Sequence, residues 1–295
     1  MAPPVHSPSS STLAQRLRQP GLVVAPGVHE MVSLRLADTF GFEALYMTGF
    51  GTVASYLGLP DAGIATYTDM VHRVKAMASM ARAPLIADGD TGYGGLLNVS
   101  HTVRGYEAAG AAAIQLEDQE FPKKCGHTPG RRVIPMADMV RKIKVACEAR
   151  ASRDFLVIAR TDARTTLGLD EALRRAEAYA RAGADVLFVE SPESVQEMER
   201  IGRSTDLPLV ANMVEGGRTP VLDRAQLEAL RYKIAIFPVT ALLAATEAMR
   251  GVYAQLKEQG SSAGLAMPLM PFSDLTKLMG FEEVWAFDRR HAEIP

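Results

Sequence analysis

Residues 117–127 hold an unusual density of reactive side chains. The segment reads EDQEFPKKCGH and follows an apolar run that ends at Leu116. It contains three carboxylates, two lysines, a thiol and an imidazole. Lysines and a histidine beside a thiol favour the thiolate, or let the thiol act as an acid near neutral pH. The composition therefore indicates an acid–base loop centred on Cys125.

Two other interpretations of this segment are less favoured. Cys125 and His127 could form half of a zinc site. The second cysteine, Cys147, lies in a helical pattern, however, and no C-x-x-C or H-x-x-x-H partner motif occurs. A purely structural loop is the remaining alternative, and it gives no reason for so many ionisable groups.

Acidic residues also follow two of the short apolar runs. Asp88 and Asp90 lie two residues apart after the run that begins at Leu85, and Glu117 follows the next run. Carboxylate oxygens are hard ligands that suit Mg²⁺ or Mn²⁺, held partly through water, better than zinc. A turn capped by aspartate is the ordinary alternative for D-x-D, but a second acidic strand end beside it favours a metal.

Polar residues that follow other runs could bind an anionic substrate. The glycines after residue 48 would expose backbone N–H groups that can hold a carboxylate. Arg160 could bind a carboxylate through two hydrogen bonds, or pair with Glu117 or Glu190. Asn212 could form a hydrogen bond near such a carboxylate.

The elements that must position these groups alternate along the chain. Short apolar runs predict eight strands: Leu22–Ala25, Ala44–Thr48, Leu85–Asp88, Ala113–Leu116, Leu156–Arg160, Val186–Val189, Leu209–Asn212 and Ile234–Phe237. Amphipathic stretches between them predict helices, including Tyr67–Met80, Val99–Ala109, Met136–Arg150, Asp170–Ala182 and Arg224–Leu230. Such alternation favours a parallel sheet, and eight strands close a (β/α)8 barrel of the TIM type. An open doubly wound sheet is the alternative, although no G-x-G-x-x-G follows the first strand.

Two more helices are predicted after the eighth strand, Thr240–Gln259 and Ser273–His291. The second is more apolar than a completed barrel requires, so it either covers one barrel face or packs on another subunit. The predicted organisation is a disordered lead at residues 1–12, a barrel domain at 13–260 and a C-terminal helical extension at 261–295.

Composition narrows the class of protein. The chain has 295 residues, 47% of them hydrophobic, which is enough for one large core. A net charge of −2 without a basic patch argues against nucleic acid as a partner. No apolar run reaches about 18 residues, so no membrane span is predicted. Two cysteines suit a reducing compartment, which predicts a cytoplasmic protein.

The motifs together resemble those of the isocitrate lyase/phosphoenolpyruvate mutase superfamily over residues 13–288. They are YMTG at 46–49, LGLPDAG at 57–63, DGDTG at 88–92, EDQ at 117–119, KKCGH at 123–127, ARTDA at 159–163 and NMVEGG at 212–217. The KKCGH segment resembles the lyase branch. DGD at 88–90, PKK at 122–124 and NMVEGG at 212–217 resemble in particular the 2,3-dimethylmalate lyase and petal death protein group, with methylisocitrate lyase as the next neighbour.

The resemblance implies a set of roles for individual residues. The implied ligands of Mg²⁺ (or Mn²⁺), mostly through its waters, are Asp61, Asp88, Asp90 and Glu117. The implied substrate-binding residues are Thr48, Gly49, Phe50, Gly126, Arg160 and Asn212. Cys125 is the implied general acid, with Lys123, His127 and Glu190 adjusting its acidity and Tyr46 helping to deprotonate the substrate hydroxyl.

The implied reaction breaks the C2–C3 bond of a 2-hydroxy dicarboxylate of the 2-alkylmalate or 2-methylisocitrate type. It yields a 2-keto acid and an enolate-like carboxylate, which the thiol protonates. Gly126, between Pro122 and Pro129, would let the loop close and exclude water. Phe50 stands where relatives usually carry a small residue, so we expect a narrower site.

Three alternatives to this activity stay open. They are a carboxyphosphonoenolpyruvate-type phosphonomutase, an oxaloacetate hydrolase and a non-catalytic scaffold. Pro238, where the hydrolases tend to carry serine, argues mildly against hydrolysis. Relatives exchange the C-terminal helix between paired subunits, so the resemblance also implies a homotetramer.

Overall fold

The computed structural model describes residues 12–124, 126 and 130–291. Cys125 and His127 therefore lie outside the described residues, as does the expected disordered lead apart from Thr12.

A sheet of eight parallel strands forms the centre of the fold. The strands are β1 (Val23–Val28), β2 (Leu45–Met47), β3 (Leu85–Asp88), β4 (Ala113–Glu117), β5 (Leu156–Thr161), β6 (Val186–Val189), β7 (Val210–Asn212) and β8 (Ile234–Phe237). Their order is β6-β5-β4-β3-β2-β1-β8-β7. A parallel bridge between Leu187 and Leu209 joins the two ends of the sheet. The sheet thus curls into a nearly closed barrel, which confirms the predicted (β/α)8 fold.

Helices connect the strands and follow the last one. They are α1 (Leu13–Leu17), α2 (Met31–Asp38), α3 (Gly49–Leu57), α4 (Tyr67–Ala78), α5 (Leu96–Ala108), α6 (Met136–Ala149), α7 (Ala163–Leu167), α8 (Leu169–Arg181), α9 (Val195–Arg203), α10 (Arg224–Ala229), α11 (Thr240–Gln259), α12 (Phe272–Leu278) and α13 (Phe281–His291). The predicted single helix over Ser273–His291 is wrong, because the segment forms two helices, α12 and α13, separated by a turn. Gly280 has a φ of +86° there, a left-handed conformation that ends a helix.

Two groups of buried apolar side chains stabilise the barrel. One lies inside it and includes Val23, Ile86 and Ile234, together with Leu13 and Leu17 of α1. Since α1 precedes the first strand, it covers the N-terminal end of the barrel. The other, larger group fills the layer between strands and helices. With one end covered, the opposite rim, where the strands end, is left for a site.

The chain divides into two compact units, one up to Ala241 and one from Leu242 onward. The second unit holds most of α11, with α12 and α13, and no side chain in these three helices is buried. None of the helices in the described ranges has the length and apolar character needed to cross a bilayer.

Candidate active site

The ends of five strands carry five of the predicted site residues. Asp88 ends β3, Glu117 ends β4, Arg160 lies near the end of β5, Glu190 follows β6 and Asn212 ends β7. Glu117 and Arg160 are direct neighbours in the β4–β5 pairing. Parallel strands bring their carboxyl ends to one rim, so these groups meet there although they are distant in the sequence. Each of the five is at most 8% exposed.

Arg160 is the centre of one half of this site. Its Nε and Nη2 donate to the two carboxylate oxygens of Asp162, each at 2.9 Å. Nη2 also lies 3.2 Å from Glu190, whereas Nη1 lies 3.5 Å from Glu117. Asn212 donates from Nδ2 to Glu190 at 3.0 Å. Burial opposes the charge on Arg160, but these carboxylates more than offset it and hold its pKa well above the usual value.

Lys123 is the centre of the other half. Its Nζ lies 2.7 Å from each carboxylate oxygen of Asp61 and 3.3 Å from Asp90, and the side chain is 4% exposed. Burial lowers the pKa of Lys123, but Asp90, Glu117 and the other carboxylates raise it well above its ordinary value. The ammonium thus lies among the predicted metal ligands, a position that the sequence did not indicate.

One of the carboxylates here is only partly satisfied by hydrogen bonds. Oε1 of Glu117 is buried with no hydrogen-bond partner. Burial raises the pKa of Glu117 well above its ordinary value, and burial with Asp90 and Asp61 nearby raises that of Asp88. Among the described residues, the carboxylates Asp61, Asp88, Asp90 and Glu117 outnumber the cations Lys123 and Arg160 that they face here, which is the setting in which a divalent cation binds.

The donors fit a magnesium ion better as a water-mediated site than as a direct one. Among the described residues, no three acidic, histidine or cysteine side chains converge closely enough to hold a metal directly. Lys123 bridges Asp61 and Asp90 in this arrangement. All-oxygen ligands held partly through water are nevertheless typical of Mg²⁺. The metal-binding role of Asp61, Asp88, Asp90 and Glu117 stays a prediction.

The N-terminus of α3 lies against the acidic group. Thr48 caps the helix by accepting from the N–H of Gly51 at 3.3 Å. A side chain on Gly49 would collide with the carboxylate of Asp88, so the helix can approach only with glycine there. The positive end of the helix dipole makes this a favourable place for an anion. Phe50 is 36% exposed, and its expected narrowing of the site stays a prediction.

Tyr46 connects to the acidic group through a residue that the sequence interpretation missed. Its hydroxyl donates to Gln115 Oε1 at 3.0 Å, and Gln115 Nε2 donates to Asp88 at 3.4 Å. Burial, with Asp88 nearby, raises the pKa of Tyr46 well above its ordinary value. The role of Tyr46 in deprotonating the substrate hydroxyl stays a prediction. Gln115 could have been found from the sequence, because it is the polar residue within the otherwise apolar run of β4 and a buried polar group needs a hydrogen-bond partner.

A further buried network supports Arg160 from behind. Arg131 donates to Asp162 at 2.5 Å. Asp118 accepts from Tyr179 and Thr161, each at 2.7 Å, and from the backbone N–H of Asp162 at 2.9 Å. The ARTDA and EDQ motifs contained Asp162 and Asp118, but only the fold showed what these carboxylates bind.

The loop after β4 returns to the barrel rim at Gly126. Its carbonyl accepts from Ser191 Oγ at 3.2 Å. A Cβ on Gly126 would collide with Arg160 and lie 3.2 Å from Glu190, so the backbone packs directly on these two side chains. The predicted roles of Cys125 and His127 fall outside the described residues and stay predictions.

A parallel barrel that gathers buried carboxylates, an arginine and a helix N-terminus at its carboxyl rim defines an enzyme for small anionic substrates. Residues 13–257 match the family model described as phosphoenolpyruvate phosphomutase. The chain is 47% identical to 2,3-dimethylmalate lyase of Eubacterium barkeri, over 96% of this chain and 98% of that protein. It is 40% identical to 2-methylisocitrate lyase of Aeropyrum pernix, over 96% and 90% respectively.

Solved structures agree with the sequence comparison. Oxaloacetate acetylhydrolase in complex with 3,3-difluorooxalacetate superposes with a TM-score of 0.90 at 34% identity, covering 96% of this chain and 97% of that one. Phosphonopyruvate hydrolase in complex with oxalate and Mg²⁺ gives 0.86 at 35%, covering 95% and 98%. The chain belongs to the isocitrate lyase/phosphoenolpyruvate mutase superfamily, as its motifs indicated, and is a carbon–carbon lyase of it.

Proposed function

We propose that this enzyme is a Mg²⁺-dependent lyase that cleaves the C2–C3 bond of a 2-hydroxy di- or tricarboxylate. The observation that carries the proposal is the pairing, on one rim, of an excess of buried carboxylates with the guanidinium of Arg160. The first suits a divalent cation and the second an anionic substrate. The similarity to 2,3-dimethylmalate lyase and 2-methylisocitrate lyase supports substrates of the 2-alkylmalate or 2-methylisocitrate type.

The metal would be held by the four predicted carboxylates: Asp61, Asp88, Asp90 and Glu117. When bound, Mg²⁺ supplies Lewis acidity that eases loss of the hydroxyl proton and stabilises the keto product. Asp61 and Asp90 already form ion pairs with Lys123. They would therefore hold the metal partly through its water molecules.

Arg160 and α3 would orient the substrate. Two of the three nitrogens of Arg160 are fixed by Asp162, so its plane is set before substrate arrives. Nη1, with its longer contact to Glu117, is the edge best placed to bind a substrate carboxylate. The N–H groups of Gly49 and Phe50 would bind the same end of the molecule.

Cys125 would protonate the carbon that leaves with the second carboxylate. Lys123 and Gly126, on either side of it in the sequence, lie at the acidic group and at Glu190 respectively. A thiol is a suitable donor because its pKa can be brought near neutral pH. A catalytic thiol must also stay reduced, which supports the cytoplasm as the place of action.

Hydrolysis of oxaloacetate is a second candidate function. It also breaks a carbon–carbon bond, and the close superposition on oxaloacetate acetylhydrolase favours it. Pro238 follows β8 where a serine would be expected for hydrolysis, so we rank this candidate second.

A substrate panel separates these functions. The purified enzyme with Mg²⁺ is offered 2-alkylmalates, 2-methylisocitrate, oxaloacetate and a carboxyphosphonate, and products are identified by mass spectrometry. A 2-keto acid from a 2-hydroxy dicarboxylate is the expected result. Oxalate from oxaloacetate alone would establish the hydrolase, and turnover of the phosphonate alone would overturn the proposed cleavage of 2-hydroxy acids.

A further inference from the structure

The side chain of Gln119 is joined to the backbone of Lys124 in both directions. Its Nε2 donates to the carbonyl of Lys124 at 2.8 Å, and its Oε1 accepts from the N–H of Lys124 at 3.1 Å. Gln119 is 2% exposed, whereas Lys124 is exposed, so the two bonds are half-buried. The side-chain amide therefore pairs with the backbone of Lys124 as a peptide group pairs with its neighbour in a β-sheet.

Gln119 is itself held firmly at the base of that loop. Its backbone forms an antiparallel bridge with Val133. The N–H of Glu120 donates to the backbone carbonyl of Arg132 at 2.8 Å, and the N–H of Ile134 donates to the backbone carbonyl of Asp118 at 2.9 Å. The side chain thus ties Lys124 to a paired segment that continues directly from β4.

The residues around Lys124 face the site on two sides. Lys123 reaches Asp61 and Asp90. Gly126 packs against Arg160 and Glu190. The side chain of Lys124 is exposed, so what the molecule uses at this position is its backbone.

We propose that Gln119 is a positioning residue: its amide fixes the backbone at Lys124 and so sets the places of Lys123 and Gly126 in the site. This rests on the proposed function, because it assigns Gln119 a part in turnover through these neighbours. A neutral amide can donate to the carbonyl and accept from the N–H at once. A glutamate would keep the acceptor but set a carboxylate against the carbonyl.

The test compares Gln119→Met, which keeps the volume without the hydrogen bonds, with Gln119→Glu. Glu120→Gln is the matched control. It changes the next residue, whose exposed carboxylate pairs with Arg132, and leaves the Gln119 amide in place. Hydrogen exchange of the Lys124 amide, the rate of Cys125 alkylation by iodoacetamide, kcat and KM, and thermal unfolding are measured for each protein.

Both Gln119 variants should exchange the Lys124 amide at least about tenfold faster. They should lose about 10- to 100-fold in kcat while KM changes by less than about threefold, because misplacement by an ångström is enough for such a loss. The control should match the wild type. Faster exchange with an unchanged kcat, or unchanged exchange, would overturn the positioning role.

The positioning role can also be tested if the wild type turns over no member of the substrate panel. The proposed function would then have failed, but the alkylation rate of Cys125 can be measured without turnover. A rate at Cys125 that rises several-fold in both Gln119 variants, and not in Glu120→Gln, would support the positioning of the loop. An unchanged rate would overturn it. Should Gln119→Met unfold, Gln119→Glu carries the same comparisons.

Discussion

At the scale of single residues, the rim of the barrel is a balance of buried charges. Among the described residues, Asp61, Asp90, Glu117 and Glu190 form ion pairs with Lys123 and Arg160. Removing one member of a buried ion pair leaves its partner uncompensated, which costs more than the pair contributes. The geometry of the site therefore depends on each of its cations.

Lys123→Met should destabilise the protein in the absence of divalent metal. Asp61 and Asp90 would be left without their ammonium partner, a loss of about 3–5 kcal/mol in the free energy of unfolding. Denaturant unfolding in EDTA measures it. Lys142→Met is the control, because Lys142 donates to the carbonyl of Thr91 and should matter less. Equal losses in the two variants would contradict the assigned role of Lys123.

Asp88→Asn should abolish stabilisation by Mg²⁺. The substitution keeps the shape of the side chain beside Gly49 and Gln115 but removes a charged oxygen ligand. The wild type should show a rise in Tm that grows with Mg²⁺ concentration, whereas the variant should show little or none and negligible turnover. Full activity of the wild type in excess EDTA would refute the metal assignment.

At the scale of elements, the strands were predictable and several helices were not. The predicted strands Leu85–Asp88 and Val186–Val189 coincide with β3 and β6, because short apolar runs bounded by turns favour buried strands. The helix α3 was missed, because Gly49-Phe50-Gly51 has poor helix propensity and forms a helix only with the Thr48 cap and barrel packing.

The site could be predicted as a list of residues but not as an arrangement. Asp88, Glu117 and Arg160 were indicated because polar groups that follow apolar runs gather at a barrel rim. The pairing of Lys123 with Asp61 joins residues 62 positions apart, and no local pattern contains it. The bond from Gln119 to the backbone of Lys124 depends likewise on how the loop folds back.

The variant Cys125→Ser should lose turnover but still bind oxalate. A hydroxyl is a far weaker acid than a tuned thiol, so turnover should fall by about 10³-fold or more. Oxalate binding, measured by calorimetry with Mg²⁺, should stay within about threefold, since the predicted anion-binding groups are unchanged. Turnover at the wild-type rate would move the acid role elsewhere, with Glu190 as the next candidate.

At the scale of the whole molecule, the second compact unit exposes apolar surface, and none of its residues from 242 to 291 is buried. The large apolar residues exposed in it include Leu243, Tyr253, Leu256, Phe272, Phe281, Trp285 and Phe287. Helices that are amphipathic but unburied require a partner surface. We propose that a second copy of the chain provides it, in a tetramer of paired subunits.

Deleting the residues after Pro271 should disrupt this assembly. The shortened protein should form aggregates or smaller, poorly active species, because α12 and α13 would no longer cover the neighbouring subunit. Light scattering of the full-length and shortened proteins measures the mass. A full-length monomer at micromolar concentration would refute the tetramer.

Cleavage of the C2–C3 bond can be followed directly in deuterated water. The Mg²⁺-loaded enzyme is given stereoisomers of 2,3-dimethylmalate, and the products are observed by NMR. Cleavage of C2–C3 with protonation by an exchangeable acid predicts equal amounts of pyruvate and singly deuterated propionate, with neither formed in EDTA. If no stereoisomer and no other 2-hydroxy dicarboxylate of the panel gives a 2-keto acid, the enzyme is not the lyase proposed.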